Sequence, residues 1–191
     1  MNAIELTQAL LRFETVNPPG DEKACAHFLG NMLEAGGFAV KYYEFDRDRT
    51  SLLATIDGAK NVPPICFTGH IDVVPLGKTA WAKNPFSGEI AAGKLYGRGA
   101  SDMKSGVAAM VLAALELARQ PVLQASIKLV ITAGEEKCCM GATYLASLPD
   151  VLGEAGAIVV GEPTANVPLL GHKGVLWLQA TTSGKTAHGS M

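Results

Sequence analysis

The order of apolar segments in this chain predicts an α/β fold, a three-layer sandwich around a mostly parallel central sheet. Three features carry that expectation. Segments with helical spacing alternate with short strand-like ones. The strand-like segments 65–68, 127–133 and 157–160 are continuous apolar runs, as strands buried on both faces should be. Polar and acidic residues cluster just after those runs, where open α/β sheets bind ligands.

Residues 2–12 read as a first helix. Asn2 can cap it, and Glu5 three residues later completes a capping-box pattern. Ile4, Leu6, Ala9, Leu10 and Phe13 approximate one apolar face, and Asn17-Pro18-Pro19-Gly20 stops the chain. Asp21 is then expected to cap a second helix, with Ala24, Phe28, Leu29, Met32 and Leu33 inward and Gly36-Gly37 at its end. Strand-like segments 38–45, 51–56 and 65–68 come next, and the third delivers Gly69-His70-Ile71-Asp72. A polar loop with Trp81, Pro85 and Phe86 as anchors leads to a hairpin at 89–96, turning at Ala92-Gly93-Lys94.

The Gly-rich stretch 95–106 carries Asp102 into a helix of about 103–118. That helix is apolar on nearly all sides, so it is expected beneath a sheet and other helices. Segment 127–133 reads as a buried strand delivering Gly134-Glu135-Glu136, and a helix is expected at 141–148. Segment 157–160 reads as a third central strand, delivering Gly161-Glu162-Pro163-Thr164, and 175–182 reads as a further strand.

Composition narrows the possibilities. With 191 residues, 48% of them hydrophobic, the chain can build one full core and the beginning of a second domain. Net charge is −2 and no basic stripe occurs, so nucleic acid is not an expected partner. The longest apolar run, 107–115, falls short of the ~20 residues a membrane span needs, and Glu5 interrupts any secretory leader. A cytoplasmic protein is therefore expected. Cys25, Cys66, Cys138 and Cys139 form no C-x-x-C pair and read as small buried hydrophobes in a reducing compartment.

Several nucleotide and protease motifs fail on the letters. Gly-Lys-Thr occurs at 77–79 and 184–186, but the glycine a phosphate-binding loop needs five residues earlier is Asp72 or Gln179. The G-x-G-x-x-G begun by Gly97 and Gly99 ends on Asp102. Neither H-E-x-x-H nor G-x-S-x-G is present.

What remains is one histidine and several carboxylates placed just after strands or at a helix start. His70 and Asp72 form H-x-D, in which His70 can ligate a metal and Asp72 can orient its ring; a plain polar loop would carry the same letters. Asp102 can cap its helix, and with two oxygens it can also bridge two cations. Glu135 and Glu136 repel each other unless a cation is near or one is protonated. A division of labour with Glu136 on metal and Glu135 as general base resolves that, as would a solvated acidic turn. Glu162 is a ligand or an ordinary turn residue. Imidazole plus carboxylate suits zinc, and also cobalt or manganese.

These blocks, taken in order, resemble the M20 metallopeptidases, a family that includes acetylornithine deacetylase and succinyl-diaminopimelate desuccinylase. The resemblance rests on Thr68-Gly69-His70-Ile71-Asp72-Val73-Val74-Pro75, Tyr96-Gly97-Arg98-Gly99-Ala100-Ser101-Asp102-Met103-Lys104-Ser105-Gly106, Gly134-Glu135-Glu136 with Gly141-Ala142, Gly161-Glu162-Pro163-Thr164 and His172-Lys173-Gly174, and Asn17-Pro18-Pro19-Gly20 also fits. It implies a zinc-exopeptidase-like fold, with residues 1–174 as the N-terminal part of a catalytic metal-binding domain and 175–191 as the start of a lid and dimerisation domain. His70 and Glu162 would hold one zinc ion, Glu136 the second, and Asp102 would bridge them. Asp72 would support His70. Glu135 would serve as general base toward a metal-activated water, and His188 would reach across a dimer interface to the oxyanion. A cis peptide between Asp102 and Met103 is also implied.

The implied reaction removes an acyl group from an N-acyl amino acid, in the manner of acetylornithine deacetylase. N-succinyl-diaminopimelate or a C-terminal peptide is the alternative substrate. The full-length form is expected to be a homodimer with two zinc ions per site. The family's second zinc takes a further histidine, which this chain does not supply after His188. The chain is therefore expected to be truncated, and a non-catalytic fragment with a relict metal site is the alternative function.

Overall fold

The computed structural model describes residues 1–174, 176 and 178–185. Helix α1, Ala3–Leu11, opens with the expected capping box: the Glu5 amide donates to Asn2 Oδ1 and the Asn2 amide to Glu5 Oε2, both at 2.9 Å. Helix α2 spans Lys23–Ala35. Asp21 does not cap it. Glu22 stands at the cap without a side-chain cap bond, because its carboxylate is turned to Arg49 instead.

Strands β1, Ala39–Asp46, and β2, Arg49–Ile56, form an antiparallel hairpin. Strand β3 is Ile65–His70. A small hairpin follows, β4 at Ile90–Ala91 and β5 at Lys94–Leu95. Its two loop residues have positive φ, 49° at Ala92 and 71° at Gly93, as the tight twisted turn of a hairpin requires. Helix α3, Ser105–Ala118, precedes strand β6, Ile127–Thr132, helix α4, Met140–Ser147, and strand β7, Ala157–Val160. None of the described residues between 175 and 182 lies in a strand.

The sheet order is β1-β2-β6-β3-β7. The expectation of a mostly parallel sheet is wrong: the sheet is mixed. Strand β3 pairs parallel with β6 and with β7, whereas β1–β2 and β2–β6 are antiparallel. The reason is local. Only Arg47 and Asp48 separate β1 from β2, and a parallel pair needs a crossover of about a dozen residues. β7 is also not central. It lies at the end of the order, and all four of its residues are exposed.

Strand alternation divides the apolar residues between two cores. Leu52, Ala54, Phe67, Ile127, Leu129 and Ile131 face α1, α2 and α3, together with Leu10, Leu29 and Val111. On the opposite face Leu53, Cys66 and Val130 pack with Leu145 of α4. The result is helix, sheet and helix in three layers. No helix among the described residues is long and apolar enough to cross a membrane.

Lys104, at the start of α3, is fully buried. Its Nζ donates to the carbonyls of Leu10 at 3.0 Å and Phe13 at 2.8 Å. Leu10 lies in the last turn of α1 and Phe13 just past it; their carbonyls also accept the Phe13 and Thr15 amides at 3.2 and 3.0 Å, so the ammonium adds a second donor where the helix ends. The cysteines divide into two pairs. Cys25 and Cys66 are buried as expected, and burial pushes the Cys25 thiol up to about 12. Cys138 and Cys139 are exposed, contrary to expectation, because they sit with positive φ on the loop between β6 and α4.

Candidate metal centre

The parallel part of the sheet supplies the site. β3 ends on His70, the β6 loop carries Glu135 and Glu136, and Glu162 follows β7. Asp102 lies in the irregular turn Ala100–Lys104, with non-helical φ −118° and ψ 102°. The Asp102–Met103 peptide is cis, as the resemblance implies. Met103 ties this turn to β3, because its Sδ accepts the His70 amide at 3.3 Å.

His70 is only 1% exposed. Its Nδ1 lies 3.0 Å from the Asp72 carbonyl oxygen and 3.3 Å from Asp72 Oδ1. That contact directs Nε2 toward three acids: Asp102 Oδ1 at 3.2 Å, Glu162 Oε1 at 3.6 Å and Glu135 Oε2 at 3.7 Å. Asp72 is fully buried and knits the site to two other loops. It accepts from Asn17 Nδ2 at 2.8 Å, the Glu135 amide at 3.0 Å and the Glu136 amide at 3.1 Å.

Electrostatics follow from this packing. Burial opposes charge on His70, but hydrogen bonds to Asp102 and Asp72 outweigh it and raise the imidazole to about 11. Burial also opposes charge on Asp72, and bonds from His70, Asn17 and the Glu135 amide still hold it below the usual carboxylate range. The His70 bond lowers Asp102. Glu136 rises to about 7, first from burial and then from the Asp102 charge. Burial likewise raises Glu162, with Asp102 and Glu135 adding to it against His70. The acids outnumber the positive charge among them, and a cation would correct the balance.

The residues fit a divalent metal. His70, Asp102 and Glu162 offer one nitrogen and two carboxylate donors, all within 4.8 Å of one another, a set suited to zinc, cobalt or manganese. Glu135 is beside this trio, and its Oε1 is 3.5 Å from Cys139 Sγ. Glu136 does not join the trio; its amide is bonded to Asp72, and its carboxyl feels Asp102 only through charge. His188 lies outside the described residues. Asn17 was not expected at the site. Its Asn-Pro-Pro-Gly loop was visible, but nothing in the letters joins it to an aspartate 55 positions away.

A metal-binding α/β protein with its site at the ends of parallel strands is one class among many, and similarity narrows it. The profile of peptidase family M20/M25/M40 matches residues 66–173, and the chain belongs to that family. The succinyl-diaminopimelate desuccinylase of Wolbachia pipientis is 34% identical over 198 residues, covering 98% of this chain and 48% of that protein. A probable succinyl-diaminopimelate desuccinylase of Staphylococcus epidermidis is 35% identical over 190 residues, covering 98% and 46%. An M20 family metallo-carboxypeptidase from Sulfolobus solfataricus shares the fold, with a TM-score of 0.71 at 20% identity over 84% of this chain and 37% of that one. The chain spans about half the length of the curated relatives it matches.

Proposed function

We propose that this chain carries the metal-binding part of a metal-dependent amide hydrolase acting on an N-acyl amino acid. The observation that supports this most is the meeting of His70, Asp102 and Glu162 within 4.8 Å, with the Glu135 carboxylate 3.7 Å from the same imidazole nitrogen. A divalent ion held by these residues would lower the pKa of water toward ~7 and polarise a carbonyl. Asp72 holds the His70 ring so that Nε2 faces the site. Glu135, 38% exposed and free to meet a substrate, is the proposed base that takes a proton from the attacking water and gives it to the leaving amine. Glu136 is proposed as a ligand for a second ion.

The relatives' names favour a succinyl group over the acetyl group read from the sequence. A second reading has specific support as well. Only three donors gather among the described residues, and the chain matches about half of its relatives. On that reading, the 191-residue chain binds one ion and does not turn over.

Elemental analysis with hydrolysis assays separates the two. Two ions per chain and cleavage of N-succinyl-diaminopimelate faster than N-acetyl-ornithine support the enzyme. One ion and no cleavage support the incomplete site, and no bound ion removes both. If turnover is seen, Glu135→Gln is expected to lower kcat by at least about 100-fold with the metal content unchanged.

A further inference from the structure

The Glu22–Arg49 ion pair lies behind the site, and the chemistry above makes no use of it. Both side chains are buried, 0% and 7% exposed. The pairing is bidentate: Arg49 Nε donates to Glu22 Oε2 at 2.7 Å and Nη2 to Glu22 Oε1 at 3.0 Å. The remaining fork atom, Nη1, donates to the Pro19 carbonyl at 2.9 Å. Stability alone is a poor reason for such a pair, since desolvation consumes most of the Coulombic gain.

Its neighbours point to another reason. Arg49 is wedged between two glycines with left-handed φ. A Cβ on Gly20, φ +86°, would lie 2.2 Å from Arg49 Nε, and one on Gly134, φ +71°, would lie 2.8 Å from Nη2. Gly20 belongs to the loop that sends Asn17 to Asp72, and Gly134 immediately precedes Glu135 and Glu136. The guanidinium thus fills the space between the loop that holds Asp72 and the loop that Asp72 holds. Glu22 neutralises it, so what reaches the acidic loop is shape rather than charge.

We infer that the Glu22–Arg49 pair is a positioning element that fixes the Glu135–Glu136 loop against Asp72. The inference rests on the metal-hydrolase reading for its purpose but not for its test. Lysine cannot reproduce the fork, so Arg49→Lys keeps the charge and loses the shape. Glu22→Gln keeps the shape and loses the charge that holds the fork.

Amide hydrogen exchange on the 191-residue chain tests it, with a zinc titration alongside. In both variants the Glu135 and Glu136 amides are expected to exchange about tenfold faster, while Leu129 and Ile131 amides in β6 keep their protection. Zinc affinity is expected to fall about tenfold. Uniform acceleration of all amides, failure of both variants to fold, or unchanged exchange at Glu135 and Glu136 would each overturn the inference. A wild-type chain that binds no zinc defeats the metal reading instead, and the exchange comparison still decides the role of the pair.

Discussion

His70 and Glu162 approach within 3.6 Å of each other, yet they stand on walls of opposite character. On the β3 wall, His70 is 1% exposed and leans on Asp72, itself fully buried and bonded to Asn17 and to two backbone amides. On the β7 wall, Glu162 is 37% exposed and follows an edge strand whose residues are all open. One wall is set by protein bonds before any cation arrives. On the other, the Glu162 carboxyl meets only Asp102 and the charges around it, with no buried partner behind it among the described residues. Sites are normally fixed by the partners behind their ligands, and of these two candidate ligands His70 has such a partner in Asp72.

The sharpest way to break this contrast is Asp72→Ala against Glu162→Gln. Removing Asp72 leaves one buried donor, Asn17 Nδ2, and two part-buried amides without an acceptor, at up to about 1–3 kcal/mol each. A loss of about 3 kcal/mol or more in urea unfolding is expected, with metal affinity down about 10–100-fold. Glu162→Gln should move stability by no more than about 0.5 kcal/mol while still weakening the metal. Equal losses of stability would erase the distinction between the walls.

A gentler test uses protons. His70 keeps its proton up to about 11 in the metal-free chain, and a metal must displace it. Raising the pH removes that competitor, so affinity should increase with pH, by roughly tenfold per unit for one displaced proton. Calorimetry in buffers of different ionisation enthalpy would count the protons released. An affinity that is flat from pH 6 to 8 would mean that binding displaces no proton, against a protonated His70 giving up its proton to become a ligand.

A last comparison concerns the strands themselves. Leu129→Ala in β6 should cost about 2–5 kcal/mol. Ile158→Thr in β7, where the isoleucine is 64% exposed, should stay within about 0.5 kcal/mol. Thermal unfolding of the two variants compares β6, the buried strand beside β3, with the exposed edge strand β7.

Much of this arrangement could be read from the letters, and the parts that could not share a cause. The capping box, the helix faces and the strands beneath His70 and Glu136 depend on neighbours a few positions apart, and spacing records those. Strand direction depends on connection length: Arg47-Asp48 was too short for a crossover, but the mostly parallel reading treated all the strands alike. Apolar letters at 157–160 announce surface that favours burial without saying what covers it. The Asn17–Asp72 and Glu22–Arg49 bonds span 55 and 27 positions, and no periodicity marks polar pairs that meet only after the sheet has formed. Cys138 and Cys139 mislead for a similar reason, since residue type alone does not reveal a loop tip.

Lys104 ties the beginning of the chain to its chemistry. Its ammonium rests on carbonyls of residues 10 and 13 and stands two positions past Asp102. A tag fused at Met1, which is 68% exposed, touches none of this. Trimming the first thirteen residues would leave a buried ammonium without its two carbonyl acceptors at the root of the Asp102 turn. The amino-terminal helix is therefore part of the candidate site's foundation, and deletion from that end is expected to disturb the Asp102 turn without removing any of His70, Asp102 and Glu162.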